Sequence, residues 1–269
     1  MTDRFINAGG IKTRYLEAGS GPALILIHGS GPGADAWSNW HRTMSAFADK
    51  FRVIAYDMVG FGLSDKPDPA DYVYSQESRV KQLIDFIEAL GLKSVNVVGN
   101  SMGGAVTLGA CIARPDLIDK IVLMGSGGVL TEINPNLRAA WSYTPSMENM
   151  QSILKLLTHE GFEIDPEIVR YRYELSRKPE TLAAFAAIIN WIFDVGPLGY
   201  TEEQLKEVKH KALIVHGRVD KVVPPEMGWR LNKSLPNSWF HVIPHCGHWA
   251  MVERPEEFNR ITNWFLTAA

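Results

Sequence analysis

Gly99-Asn100-Ser101-Met102-Gly103 is the stretch that decides the fold, because of the segments on either side of it. The mostly apolar residues 95–98 are typical of a buried strand, and residues 105–113, rich in small side chains, are typical of a closely packed helix. A serine between two glycines at a strand-to-helix junction forms a tight turn that lifts its hydroxyl clear of the sheet. We therefore predict that Ser101 is a catalytic nucleophile. The alternative is a packing turn with a solvent-exposed serine.

A serine nucleophile in this turn requires an acid and a histidine, which follow later strands in that order. The apolar run 212–216 precedes a turn that contains Asp220, and the strand-like run 239–243 precedes a turn that contains His248. A neutral imidazole has to accept the serine proton, and a buried carboxylate holds the imidazole in the right tautomer. The chain order thus predicts a triad of Ser101, Asp220 and His248.

Other residues compete for the two partner roles. His245 is three residues from His248, and Asp57 ends an earlier strand. We favour His248 because it follows the small residue Gly247 after the last strand, and Asp220 because of chain order. The remaining histidines are expected to be structural or exposed: His28, His41, His159, His210, His216 and His241.

A second glycine-rich loop, His28-Gly-Ser-Gly-Pro-Gly33, follows the apolar run 23–27. In this kind of site such a loop supplies one backbone N–H to an oxyanion hole, and the residue after the nucleophile supplies the other. We expect these donors to be Met102 and either Ser30 or Gly31.

The same loop formally matches a dinucleotide-binding fingerprint through Gly29, Gly31 and Ala34, with Asp57 as the ribose-binding acid. This alternative is disfavoured because two strand-like segments precede the loop and because Pro32 lies inside it. It also leaves the predicted triad unexplained.

Composition excludes several other classes of function. The 269 residues carry a net charge of −3 with no long basic run, so we expect no nucleic-acid or membrane partner. Two cysteines, Cys111 and Cys246, suggest no disulfide framework and fit a cytoplasmic location. Nothing around Cys246 requires a nucleophilic role. No metal-ligand spacing occurs, so no metal is predicted.

Strand-like and helix-like segments alternate, which predicts an α/β fold: a mainly parallel eight-stranded sheet with helices on both faces. One helix is expected over 37–49. Residues 131–207 break the alternation and are helix-like, so we predict a helical cap there, inserted into a core domain of residues 1–130 and 208–269.

These features together resemble the meta-cleavage-product hydrolases, α/β-hydrolases that split a C–C bond in ring-opened dienoates of aromatic degradation. The resemblance extends over nearly the whole chain. The tight turn at Ser101 and the turns that contain Asp220 and His248 are general to α/β-hydrolases. Asn39, Asn100 and Trp249, by contrast, point to this family. The matching segments are 28–34, 37–40, 57–64, 99–104, 123–126 and 245–250.

The resemblance implies roles for further residues. Asn39, Asn100 and Arg172 are expected to hold the terminal carboxylate of the substrate and its adjacent oxygen, and Trp249 to lie against the dienoate. A dianionic substrate in an apolar cleft needs one fixed cation and neutral donors. Arg170 and Arg177 are nearby alternatives for the cation. The group beyond the scissile ketone is expected to contact residues of the cap and core: Gly128, Ile188, Ile189, Trp191, Ile192, Phe193 and Val222.

The implied reaction ketonises the dienol and then uses Ser101 to attack the distant ketone. It yields a 2-hydroxypenta-2,4-dienoate and a carboxylic acid without any cofactor. The implied partners are this small-molecule dienoate and further copies of the chain, in a dimer or larger homo-oligomer.

Functions of other classes compete with this interpretation. A carboxylesterase keeps the triad but has no use for Asn39, Asn100 and Arg172. Haloalkane dehalogenases and epoxide hydrolases are disfavoured because their nucleophile is an aspartate. A non-catalytic small-molecule receptor is also possible on this fold, although the intact triad does not favour it.

Overall fold

The computed structural model describes residues 2–130, 132–196 and 198–268, which form one eight-stranded sheet in the order β1-β2-β4-β3-β5-β6-β7-β8. The β1–β2 and β2–β4 pairs are antiparallel and the remaining pairs are parallel, which confirms the predicted mainly parallel sheet. The strands are β1 Arg4–Ala8, β2 Ile11–Ala18, β3 Ala23–Ile27, β4 Arg52–Tyr56, β5 Val95–Asn100, β6 Ile118–Met124, β7 Lys211–Gly217 and β8 Ser238–Ile243.

The central strands are buried because helices cover both faces of the sheet. All five residues of β3 and all six of β5 are buried, as expected for parallel strands with near-continuous apolar sequence. The core helices are α1 Ala36–Trp40, α2 Met44–Ala48, α3 Gln76–Ala89, α4 Met102–Ala113, α10 Pro225–Ser234, α11 Ala250–Glu253 and α12 Pro255–Thr267. None of the helices in the described ranges is long and apolar enough to cross a membrane.

The single helix predicted over 37–49 is wrong, because the segment forms two short helices, α1 and α2. Thr43 lies between them, and both its backbone N–H and its hydroxyl donate to the carbonyl oxygen of Trp40, at 2.9 and 3.1 Å. This local bonding competes with the i to i−4 pattern that a continuous helix requires.

Five helices lie between β6 and β7: α5 Pro135–Trp141, α6 Met147–Leu157, α7 Pro166–Ser176, α8 Pro179–Val195 and α9 Glu202–Lys206. We call residues 132–207 the cap segment; residue 131, where the insertion was predicted to begin, lies outside the described residues. Side chains of the cap segment reach the loops that follow β3 and β8. Trp141 donates to Ser30 and Arg172 donates to Pro32, both after β3, and the carbonyl oxygen of Leu157 accepts from the N–H of His248, after β8. The cap segment therefore lies over the carboxyl ends of these strands.

Candidate active site

Ser101 lies in a strained turn between β5 and α4, with φ 53° and ψ −115°. A non-glycine residue with positive φ is uncommon and persists only where the surrounding structure enforces it. A Cβ atom at Gly99 would lie 2.5 Å from the carbonyl oxygen of Gly103, and one at Gly103 would lie 2.6 Å from that of Ile27. Both glycines are therefore required for the turn, as the sequence pattern predicts.

The backbone of Ser101 is fixed on both sides. Its N–H donates to the carbonyl oxygen of Met124, and its own carbonyl oxygen accepts from Gly104 and Gly127, each at 3.0 Å. These bonds hold the strained conformation while the side chain stays only half-buried. The geometry leaves the hydroxyl accessible to a substrate.

His248 and Asp220 form a buried pair. The Nδ1 atom of His248 is 2.7 Å from Oδ2 of Asp220. The other carboxylate oxygen, Oδ1, accepts from the backbone N–H groups of Val222 and Val223, at 2.9 Å each. Burial alone would raise the pKa of the Asp220 carboxyl, but His248 and His216 hold that pKa well below its usual value. Asp220 is therefore an ionised acceptor that can orient the imidazole.

His216 is a second histidine at the same carboxylate, and its position there was missed from the sequence. Its Nε2 lies 3.3 Å from Oδ2 of Asp220 and 2.8 Å from the carbonyl oxygen of Val223. The only sequence signal was its place at the end of β7, four residues before Asp220. It adds a further donor that favours the ionised form of the acid.

The loop after β6 brings the serine and the histidine pair together. A Cβ atom at Gly125 would lie 2.9 Å from Nδ1 of His248, and the N–H of Gly127 binds the carbonyl oxygen of Ser101. The Ser101 hydroxyl makes no hydrogen bond within the described residues, so the Ser101–His248 proton transfer stays a prediction. Such contacts commonly tighten only when substrate binds.

The two competing residues lie in other environments. His245 is exposed, with φ 49°, and its carbonyl oxygen accepts from Arg254. Asp57 is buried and paired with Arg14 at 3.3 Å. Burial and the neighbouring Asp35 raise the pKa of Asp57 to about 7. Neither residue makes the contact that His248 and Asp220 make.

The predicted oxyanion donors lie in two places, at the start of α4 and in the loop after β3. Met102 is the first residue of α4, so its N–H has no intrahelical partner. Ser30 accepts a hydrogen bond from Nε1 of Trp141 through its hydroxyl, at 3.1 Å. His28 anchors the loop, since its Nδ1 is 2.7 Å from the carbonyl oxygen of Gly29 and its Nε2 accepts from Met58 at 3.0 Å. Burial lowers the pKa of His28 to about 4, so the ring is neutral.

Two buried amides lie beside the serine. Nδ2 of Asn39 donates to Oδ1 of Asn100 at 3.1 Å, and Nδ2 of Asn100 donates to the carbonyl oxygen of Met124 at 3.1 Å. Asn100 immediately precedes the nucleophile candidate in β5. The structure therefore brings Asn39 and Asn100 together next to Ser101, as the sequence predicts.

Arg172 is a buried cation that forms no direct ion pair in the described part of the chain, although the negative charge of Asp35 acts on it. It is 1% exposed, and its Nε and Nη2 atoms donate to the carbonyl oxygen of Pro32, at 3.2 and 2.9 Å. Its guanidinium lies 5.0 Å from the ring centre of Trp249. Burial lowers the pKa of Arg172 to about 10, which still leaves it charged at neutral pH. A buried charge of this kind favours an anionic ligand.

The two alternative cations are surface residues. Arg170 pairs with Glu167, and Arg177 pairs with Glu174 at 3.3 Å, all of them well exposed. These pairs are ordinary contacts on the outer face of α7. Only Arg172 of the three arginines faces the core loop after β3.

The predicted pocket residues divide into two groups. Gly128, Ile188, Ile189, Ile192 and Val222 are buried. By contrast, Trp191 stacks on Arg79 of α3, and Phe193 packs on Trp141 while 38% exposed. Their roles in a pocket stay predictions. A small cavity between the β3 loop and α8 is lined by further residues that the sequence did not single out, among them Phe61, Tyr143 and Phe185.

Glu253 is another residue that sequence reasoning missed. Its buried carboxylate accepts from the N–H groups of Gly247 and Trp249, at 3.0 and 3.1 Å, on either side of His248. It also binds the N–H and the Nδ1 of His159 in the cap segment, at 2.7 and 2.9 Å. It therefore joins the histidine loop to the cap segment.

Comparison with known proteins gives one consistent result. Residues 22–255 match the α/β-hydrolase fold family. A 2-hydroxy-6-oxo-6-(2'-aminophenyl)hexa-2,4-dienoic acid hydrolase of Metapseudomonas resinovorans is 44% identical over 98% of this chain and 91% of its own length. A 2-hydroxy-6-oxo-2,4-heptadienoate hydrolase of Pseudomonas putida is 38% identical over 98% of this chain and 96% of its own length.

The solved structures agree with these relatives. A serine hydrolase involved in carbazole degradation, the CarC enzyme, has a TM-score of 0.92 and 42% identity, covering 99% of this chain and 98% of its own. A meta-cleavage product hydrolase of Pseudomonas fluorescens, CumD, has a TM-score of 0.93 and 36% identity, covering 98% and 97% of the two chains.

Proposed function

This chain belongs to the α/β-hydrolase family and, within it, to the meta-cleavage-product hydrolases, and we infer that it cleaves a C–C bond in a 2-hydroxy-6-oxo-2,4-dienoate. The products are a 2-hydroxypenta-2,4-dienoate and a carboxylic acid. One water molecule is consumed, and its oxygen enters the acid. The ketone that forms at C2 when the dienol ketonises accepts the electron pair of the broken bond, so the reaction needs no added oxidant or reductant.

We propose that Ser101, His248 and Asp220 carry out the hydrolysis. His248 accepts the proton of Ser101 as the hydroxyl attacks the distant ketone, and Asp220 stabilises the imidazolium. The N–H groups of Met102 and of Ser30 or Gly31 bind the oxyanion. The buried pair of His248 and Asp220, at 2.7 Å, supports these roles.

The bond that breaks needs an electron sink. We propose that the 2-hydroxydiene is first ketonised, so that its O–H proton is transferred to C5 of the chain. When the tetrahedral adduct on Ser101 collapses, the electron pair of the C5–C6 bond moves into the new ketone and re-forms the dienol. Water then releases the carboxylic acid from Ser101, with His248 as general base.

Arg172, Asn39 and Asn100 are proposed to hold the carboxylate of the substrate and the oxygen beside it, with Trp249 against the dienoate. The observation that carries this proposal is the buried Arg172 guanidinium, which forms no ion pair in the described residues and feels the charge of Asp35 only from a distance beyond direct contact. An arginine–carboxylate contact in a dry cleft is strong and directional. A plain carboxylesterase has no use for such a cation.

We further propose that the cap segment covers the cleft and contributes the pocket for the group beyond the scissile ketone. Buried Ile188, Ile189 and Ile192 of α8, together with Val222 and Gly128, make this pocket apolar. Comparing substrates with methyl and phenyl groups at this position measures how large the pocket is.

A homo-oligomer and a cytoplasmic location are also proposed. Strand β8 is an edge of the sheet, and three large side chains near it are about half exposed: Trp229, Trp239 and Trp264. Exposed aromatic residues beside an unpaired strand edge favour association. Light scattering of wild type and Trp239→Glu tests this surface.

The two buried free cysteines support a reducing compartment.

The reaction itself is tested by following the loss of the yellow dienoate chromophore and identifying the products. The expected result is equimolar 2-hydroxypenta-2,4-dienoate and carboxylic acid, with much slower turnover of a p-nitrophenyl ester. Efficient ester hydrolysis with an unchanged dienoate would support the esterase alternative.

A further inference from the structure

Asp35 is a buried carboxylate at the start of α1 that bonds in two directions. Its Oδ1 accepts from the N–H of Ser38 at 2.7 Å, which caps the helix. Its Oδ2 accepts from the hydroxyl of Tyr171 at 2.6 Å, across 136 residues of sequence. The side chain is fully buried, so both bonds are shielded from water.

Tyr171 belongs to α7 of the cap segment and immediately precedes Arg172. Burial and the charge of Asp35 raise the pKa of Tyr171 well above its usual value, so the phenol remains a hydrogen-bond donor. Its ring packs on Trp37 of α1, with the ring centres 4.5 Å apart. Tyr171 is therefore attached to α1 by both its ring and its hydroxyl.

The same two helices carry two of the proposed carboxylate ligands. Asn39 lies on α1, and its N–H donates to the carbonyl oxygen of Asp35 at 3.3 Å. Arg172 lies on α7, and its backbone carbonyl would be 2.0 Å from a Cβ atom at Gly33. The core and the cap segment meet closely here, and Asp35 bonds to both sides.

We propose that the Asp35–Tyr171 hydrogen bond is a positioning contact that holds Arg172 in register with Asn39 for the substrate carboxylate. This inference rests on the proposed role of Arg172. Tyr171 touches no reacting atom in this account and acts through its neighbour. A site binds its ligand more tightly when a side chain with many rotamers, such as arginine, is already fixed in position before the ligand arrives.

Tyr171→Phe removes the hydroxyl and keeps the ring on Trp37. We expect kcat/KM for a 6-phenyl dienoate to fall about tenfold, chiefly through KM, because a contact made in both ground and transition states acts on binding. Hydrolysis of p-nitrophenyl acetate, which has no carboxylate to place, should change less than about twofold. Equal losses on both substrates would mean that the hydroxyl only stabilises the fold, and would overturn the proposal.

A matched control is available on the same helix. Tyr173→Phe removes the hydroxyl of a half-buried tyrosine of α7 whose ring packs on Arg177. This variant should retain dienoate kcat/KM within about twofold. A tenfold loss here as well would assign the effect to α7 in general and contradict the specific role of Tyr171.

A double-mutant cycle separates positioning from stability. In the Arg172→Ala background, Tyr171→Phe should cost less than about twofold further, because the group that it positions is gone. A full tenfold loss in that background contradicts the proposal. If Arg172→Ala alone leaves kcat/KM for the dienoate unchanged, Arg172 does not bind the substrate carboxylate, and this inference is refuted together with that role. The dienoate reaction of the wild type would still stand.

Asp35→Asn is the second variant at the same contact. Asparagine is an equally good helix cap, so α1 is retained, while Tyr171 loses its charged acceptor and Arg14, whose Nη1 is 3.6 Å from Oδ2 of Asp35, loses one of its carboxylate partners. The expected result is a selective loss on the dienoate that does not grow when Tyr171→Phe is added. Additive losses would show that the two residues act separately.

Discussion

The backbone N–H of His248 donates to the carbonyl oxygen of Leu157, the last residue of α6, at 2.8 Å. The proposed general base is thus bonded directly to the cap segment. Glu253 strengthens this link, since it binds N–H groups on both sides of His248 and also His159. The position of the base and the position of the cap segment are therefore fixed by one set of hydrogen bonds.

Glu253→Gln tests this link. The substitution places an amide NH2 against backbone N–H groups that now bind a carboxylate, so the loop that carries His248 should shift. Because the base serves every substrate, we expect kcat to fall about tenfold on the dienoate and on p-nitrophenyl acetate alike. Steady-state kinetics on both substrates provide the measurement.

Glu257→Gln is the matched control, because Glu257 pairs with the half-exposed His241 one turn further along the chain. It should leave kcat within about twofold. A selective loss on the dienoate alone in Glu253→Gln would contradict the role in positioning His248.

Arg172→Ala tests the carboxylate contact. Removing one partner of a buried arginine–carboxylate pair costs roughly 2–4 kcal/mol, so kcat/KM for the dienoate should fall about 30- to 1,000-fold. Hydrolysis of a small neutral ester should change less than about fivefold. Arg170→Ala, a surface change on the same helix, should affect neither substrate. Equal losses on both substrates would instead make Arg172 a structural residue of the cap segment.

The choice of base is tested by two histidine variants. His248→Ala should approach the defect of Ser101→Ala, and the double variant should be scarcely slower, since residues that act as one unit are not additive. His245→Ala is the matched control because His245 is exposed, three residues away. A larger catalytic loss in folded His245→Ala than in His248→Ala would refute the assignment.

The lowered pKa of His28 predicts how the free energy of unfolding depends on pH. Its pKa is about 4 in the folded protein against 6.5 ordinarily, so the unfolded chain binds more protons between these values. The contribution of His28 to stability is therefore complete above pH 6.5 and is lost as the pH falls towards 4. A pKa shift of this size corresponds to at most about 3 kcal/mol in the free energy of unfolding.

Urea unfolding of wild type and His28→Gln at several pH values between 7 and 5 measures this effect. The advantage of the wild type over the variant should shrink as the pH falls. Parallel pH profiles would show that His28 is not the titrating group.

Much of the site could be predicted from the sequence because it follows local rules. The strained turn at Ser101 needs glycines at 99 and 103, and parallel strands bring Asp220 and His248 to the same edge of the sheet. The prediction for the core was wrong at residues 37–49. The apolar pattern of this segment would continue one helix, but the hydroxyl of Thr43 bonds to Trp40 and ends it.

The residues that we propose position the site could not be predicted in the same way. Glu253 and His159 are 94 residues apart, and Asp35 and Tyr171 are 136 apart. Glutamate, aspartate and tyrosine at such separations form no local pattern. Their roles depend on how the cap segment packs on the core, which only the folded structure shows.

The most direct test of the central claim is single-turnover reaction of Ser101→Ala and wild type with a 6-phenyl 2-hydroxy-6-oxo-2,4-dienoate, with the products identified. Wild type should give benzoic acid and 2-hydroxypenta-2,4-dienoate in equal amounts. Ser101→Ala should still bind the substrate but form products at least about 10⁴-fold more slowly. Product formation by Ser101→Ala at a rate near that of the wild type would contradict the account.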